Sequence, residues 1–218
     1  MKYNMKIIIT EGQYKQILFE DRIGKSVVRQ VVRDLTTIIK RNEEGEFYLP
    51  SDVLSEGEEM DFYEFDDYEV EFAVEFKIIY DDSINRFLIN GSYSIEDDTI
   101  EIILKVNPNN LKKQMYDIIG ELNILVAHEL EHGLQQYYDE FDLDVKEPKN
   151  PSKYYLQSHE IPAQIQGFRR LSKLKNIPFE DVVRDWFKNN KTFHQLKPKQ
   201  EEKVIQTILM KYEEKYDK

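Results

Sequence analysis

Hydrophobic residues recur along this chain with two different periods, and each change of period marks a new element. Lys6 to Thr10 is a short apolar run that predicts a strand, and Glu11 to Asp21 places Tyr14, Ile17 and Leu18 on one face of a short helix. From Lys25 to Arg41, Val28, Val31, Val32, Leu35, Ile38 and Ile39 repeat at helical spacing and predict a longer helix. The composition then shifts. Asn42 to Asp67 is rich in Glu and Asp and is punctuated by Gly45, Pro50 and Gly57, which reads as an acidic surface loop or linker.

From Tyr68 the period falls to two. Val70, Phe72, Val74 and Phe76 alternate with Glu69, Glu71, Glu75 and Lys77, broken only at Ala73, as a strand with one buried face requires. Arg86 to Ile95 and Thr99 to Val106 are further strands, joined through Glu96-Asp97-Asp98 as an antiparallel hairpin. Asn107-Pro108-Asn109 ends the last strand and opens a helix from about Leu111 to Tyr138. On that helix Met115, Ile118, Ile119, Leu122, Leu125, Val126, Leu130 and Leu134 form one apolar arc. His128 and His132 fall beside its edge, Glu129 just within it, and Glu131 and Gln135 on the side turned away.

Asp142 to Gln157 reads as an irregular connection. A helix with Ser158 as N-cap and Pro162 in its first turn follows and runs to about Lys175. Ile177-Pro178 opens a short helix with Trp186 and Phe187, and Pro198 precedes a charged C-terminal helix. The pattern predicts an α+β protein in four stretches. Residues 1–41 pack on the core, 42–67 form the acidic loop, 68–176 are the core, and 177–218 add C-terminal helices.

Composition narrows what such a protein does. The 218 residues are enough for one sizeable domain, with 40% hydrophobic residues to fill a core and 33% charged residues outside it. A net charge of −12 argues against binding a nucleic acid backbone. The absence of cysteine removes disulfides and thiolate ligands, so any metal must be held by His, Glu or Asp. Neither a signal peptide nor a membrane-length apolar run is visible, so the expected location is the cytoplasm or a particle assembled there.

One stretch names a chemistry. In His128-Glu129-Leu130-Glu131-His132 the histidines stand four apart, about one helical turn, so both imidazoles reach one metal ion while Glu129 faces the same space. A catalytic zinc takes three protein ligands, so a third must come from elsewhere. The extended motif ending in a third histidine is excluded, because Gln135 replaces its glycine and Tyr138 its histidine. Glu160 supplies the other solution. It opens the next helix on a face shared with Ala163, Gln164 and Gly167, and the two small residues let that helix approach the histidines closely. Gln164, one turn on, is placed to hydrogen-bond a ligand.

Strands, then an H-E-x-x-H helix, then a glutamate-bearing helix resemble the gluzincin branch of the zincin metallopeptidases. The spacing is similar to the minimal gluzincin-like proteins of bacteria and phages. Tyr154-Tyr155-Leu156 and His159-Glu160-Ile161-Pro162-Ala163-Gln164 resemble tailed-phage proteins of this organisation, over about Tyr68 to Lys175. The resemblance implies a zincin-like fold, with a small antiparallel or mixed sheet packed on the two helices. It also implies Zn2+ held by His128, His132 and Glu160, Glu129 as general base, and a peptide or protein substrate laid along an edge strand. Thr99 to Val106 or its neighbour would be that strand. Tyr154, Tyr155, His159 and His194 are candidate oxyanion donors, with His159 expected at the rim. The chain departs from thermolysin-like enzymes at Gln164, which stands where they have an aspartate and supplies no charge to a ligand histidine. The alternative is a zincin-fold phage structural, scaffold or regulatory protein with weak catalysis or none.

Overall fold

Phe72, Val74, Phe76 and Ile78 are all buried, and the residues between them are exposed or half-buried. That alternation is the strand β3 (Val70–Tyr80) at the centre of a small mixed sheet. The computed structural model describes residues 24–53, 62–65, 70–94, 96–137 and 150–216. The strand and helix expected within residues 6–21 lie outside those residues, as does the first half of the connection expected between 142 and 157.

β3 runs parallel to β5 (Thr99–Val106), setting Val74 beside Ile100, Phe76 beside Ile102 and Ile78 beside Leu104. These pairs form one continuous apolar face. Burying a side chain of this size contributes about 1.5–3 kcal/mol, so the rows anchor the sheet. β4 (Leu88–Ser94) pairs antiparallel with β5, as the hairpin pattern predicts, and forms one edge of the sheet among the described residues.

The acidic segment is more ordered than its composition suggests. β1 (Gly45–Leu49) pairs antiparallel with the second half of β3, and β2 (Tyr63–Phe65) with its first residues. Leu49 and Tyr63 are buried, and the Tyr63 hydroxyl donates to Asp34 Oδ2 at 3.0 Å. Among the described residues Glu43, Glu44, Glu46 and Asp52 are exposed, and Glu46 pairs with Lys77 across the strands. A few apolar anchors therefore suffice to make strands of a segment that composition reads as a loop.

Helix α1 (Gly24–Arg41) lays its valine, leucine and isoleucine stripe into the same core. Helix α2 (Pro108–Tyr137) begins where the Asn-Pro signal places it. The Asn107 side chain accepts the Asn109 N–H at 3.0 Å and donates to the Asp82 and Ile84 carbonyls, while Pro108 takes the first helical position. α2 separates two cores. Ile118, Leu122, Val126 and Leu130 face the sheet, whereas Ile124 belongs to a helical cluster on the other side.

That second cluster is built from the C-terminal half of the chain. It comprises the short α3 (Pro151–Tyr154), α4 (Glu160–Lys175), α5 (Phe179–Asn189), α6 (Lys191–His194) and α7 (Pro198–Tyr216). α4 starts slightly later than Ser158 predicts: His159 is its N-cap, makes no side-chain capping bond, and puts Glu160 in the first turn. Asn176, left-handed at φ 54°, ends it.

α4 crosses α2 at Gly167. A β-carbon there would stand 2.8 Å from the Ile124 carbonyl oxygen, so the backbones approach as only glycine allows. At Gly91, where β4 rests on α2, an added β-carbon would meet only the Leu125 side-chain tip, also at 2.8 Å. A rotamer can move and a helix carbonyl cannot. Gly167→Ala should therefore cost about 1–3 kcal/mol of stability, and more than Gly91→Ala. Urea unfolding of both variants checks this; equal costs would mean that the helix crossing can relax.

Candidate metal centre

The crossing at Gly167 sets the first turn of α4 against the middle of α2. His128 and His132 project from α2 with their Nε2 atoms 3.2 Å apart. Glu160 meets both, Oε2 lying 3.5 Å from His128 Nε2 and Oε1 3.6 Å from His132 Nε2. Four ligands at 2.0–2.1 Å around a tetrahedral ion stand about 3.3 Å from one another. The three side chains thus present donors at the spacing one small cation requires. Glu160 Oε2 is buried and makes no hydrogen bond, as expected of an oxygen aimed at such a cation.

His128, Glu129 and His132 also bring ligand atoms within 4.8 Å of one another, a group that could hold a metal ion. Two carboxylates are therefore near the imidazoles. Glu160 is the better third donor, because its two oxygens face both Nε2 atoms at coordination spacing. Glu129 instead has the Tyr93 backbone near its carboxylate, on β4, the outer strand of the sheet among the described residues. That leaves Glu129 beside the centre with its carboxylate turned to the cleft.

Gln135 decides how His132 presents itself. Its amide donates to the His159 carbonyl at 3.0 Å, so its oxygen must be the atom 3.1 Å from His132 Nδ1. His132 therefore carries its proton on Nδ1 and offers the Nε2 lone pair to the centre. Helical spacing turns Gln135 and Glu131 away from the apolar arc, but both are buried, and Gln135 meets the lead-in to α4 at the His159 carbonyl. An i, i+3 relation to a ligand histidine is the signal that could have singled out Gln135.

The other candidates separate cleanly. The Tyr154 hydroxyl lies against the Glu160 carboxylate and helps keep it ionised. Tyr155 is buried among Tyr154 and Phe187 and belongs to the helical core. His159 is half-buried beside the centre, its Nε2 3.7 Å from Glu160 Oε1 and its ring 5.8 Å from that of His132.

His194 is buried, with Nε2 donating to the Phe187 carbonyl at 2.8 Å and Nδ1 accepting the Leu196 N–H at 3.0 Å, which leaves neither nitrogen for a substrate. Gln164 does not reach a histidine either. It donates to the Tyr155 carbonyl at 3.4 Å, and its buried Oε1 has no hydrogen-bond partner.

The electrostatics follow from burial and crowding. Burial pushes the Glu129 carboxyl up to about 7, against the pull of His128. Burial, reinforced by the neighbouring His128, pulls His132 down to about 4. For His128 the surrounding carboxylates, Glu160 foremost, overcome burial and raise its pKa. For Glu160 the histidines overcome burial and lower it. One cation would satisfy these buried acceptors together.

The centre opens into a cavity of about 510 Å³ between β4 and the helices, into which His128, Glu129, Tyr154 and Glu160 project. No protein-family model, curated protein or solved structure matches the chain. No helix among the described residues is long and apolar enough to cross a membrane.

Gln135→Leu keeps the volume of the side chain but removes the acceptor that orients His132. Zinc affinity, read by competition with a chromophoric chelator, should fall about 10–100-fold while the fold is retained by circular dichroism. Unchanged affinity would mean that helix geometry alone orients the imidazole.

Proposed function

We propose that the protein is a zinc-dependent peptidase of the gluzincin type. The observation that carries the reading is the triangle of His128, His132 and Glu160 donors, 3.2 to 3.6 Å apart, with Glu129 beside it and a strand edge facing the same cleft. An all-nitrogen-and-oxygen set of two imidazoles and one carboxylate, on a chain without cysteine, suits catalytic zinc. When bound, zinc supplies a Lewis acid that polarises a carbonyl and acidifies water.

The chain's own groups do the rest. Glu129 takes the proton of the attacking water and returns it to the departing amine, a transfer its position beside the donors permits. Tyr154, whose hydroxyl lies at Glu160, and His159, whose Nε2 faces the same carboxylate, are the donors available to an oxyanion developing at the centre.

β4 is the strand beside the cleft rather than β5, which is flanked on both sides by β3 and β4. As the outer strand among the described residues, β4 suits an extended peptide added as a further strand.

Glu129→Gln should retain one equivalent of zinc by elemental analysis and lose peptide hydrolysis by about 10²–10⁴-fold. His132→Ala and Glu160→Ala should lose the metal itself. Wild-type protein that cannot be loaded with zinc would sink the reading. Tight zinc with no cleavage across a diverse peptide library would leave a metal-holding interaction protein instead.

A further inference from the structure

The cavity does not end at the metal centre. It continues along α2 toward the N-terminus of that helix, between Ile124 and Leu125 on one side and Phe168 and Trp186 on the other, and reaches Glu121. Glu121 is seven residues before His128, about 10 Å along the helix axis. A long unbranched side chain spans such a channel and a short one does not.

Its polar lining includes two acceptors, Gln164 and Glu121, beside the donor side chains of Arg86, Asn90 and Asn190. Gln164 Oε1 is buried and has no hydrogen-bond partner, and Gln164 lines the channel midway. Glu121 lies further along, its carboxylate held by the Trp186 indole N–H at 3.2 Å, with the Asn190 side chain nearby on the Trp186 carbonyl. No cation forms an ion pair with Glu121 among the described residues. Arg86 and Lys175 act on it only from a distance, and the Arg86 guanidinium is engaged by the Asn189 carbonyl at 2.8 Å. Burial pushes the Glu121 carboxyl above its ordinary range, the mark of a carboxylate with too little compensation.

Apolar walls for a stem, an unpaired acceptor partway along and a carboxylate further in are the complement of one class of side chain. We propose that this channel is the specificity pocket of the site and that it selects a lysine or arginine flanking the cleaved bond. The stem packs between Phe168, Trp186, Ile124 and Leu125 and the cationic head takes Glu121, while the Nε–H of an arginine, nearer the stem, donates to Gln164. This rests on the peptidase reading of the metal centre, but the pocket can be tested apart from it.

Trp186 is the chain's single tryptophan and stands in the channel wall, so its fluorescence reports occupancy with no catalysis involved. n-Butylguanidinium and the neutral n-pentanamide are titrated into the full-length protein, and a peptide library is cleaved by the zinc-loaded protein in parallel. The cation should bind about tenfold or more tighter than the amide. The advantage should vanish in Glu121→Gln, with the fold checked by circular dichroism. Library products should carry Lys or Arg beside the cleaved bond.

Equal or better binding of the amide by wild-type protein overturns the proposal even if the variant fails to fold, and so does fluorescence unmoved by the cation. Cleavage beside apolar residues also overturns it and leaves the peptidase reading standing. Selective binding of the cation with no peptide cleaved keeps the pocket and removes the peptidase.

Discussion

The close approach of α4 to α2 at Gly167 is the contact on which the rest depends. Two helices that meet with a residue in the position of Gly167 and only 2.8 Å between a would-be β-carbon and a carbonyl have little freedom to slide. That rigidity is carried seven residues back along α4 to Glu160 and four residues on along α2 to His128. The Arg170–Asn123 hydrogen bond at 3.1 Å ties the same pair of helices a turn away. A triangle of donors spaced to a few tenths of an ångström needs such a support, because no single helix can position all three.

α2 serves two masters, and this explains why its sequence is difficult to read. One face fills the sheet core through Ile118, Leu122, Val126 and Leu130, and another contributes Ile124 to the helical cluster. The histidines lie between the two, where the cores part and leave a cleft under the edge of β4. Burying imidazoles and carboxylates there is costly unless a cation or a network compensates them. The Gln135 bond to His132 and the Tyr154 hydroxyl beside Glu160 supply part of that compensation.

Much of this was legible in the residues. The alternation from Val70 to Ile78 defined the central strand, the acidic tripeptide 96–98 defined the hairpin, and Asn107-Pro108 marked the start of α2 to within a few residues. The histidine pair and Glu160 were found because helical spacing and two small residues carry three-dimensional information. What stayed hidden depended on partners distant in sequence. β1 and β2 are strands only because β3 is there to pair with them. Gln135 is a positioning group because its amide reaches the His159 carbonyl, 24 residues away in sequence, and His159 in turn lies beside Glu160. The channel to Glu121 combines residues from β4, α2, α4 and α5, which no local pattern joins.

The central claim is that His128, His132 and Glu160 hold one zinc ion between them. X-ray absorption at the zinc edge of the loaded protein tests it most directly, with wild type and Glu160→Ala measured side by side. The account predicts a nitrogen-and-oxygen shell near 2.0–2.1 Å with the multiple-scattering signature of two imidazoles, and a loss of zinc or of one oxygen ligand in the variant. A shell with one imidazole or none, or a wild-type spectrum reproduced unchanged by Glu160→Ala, would contradict it.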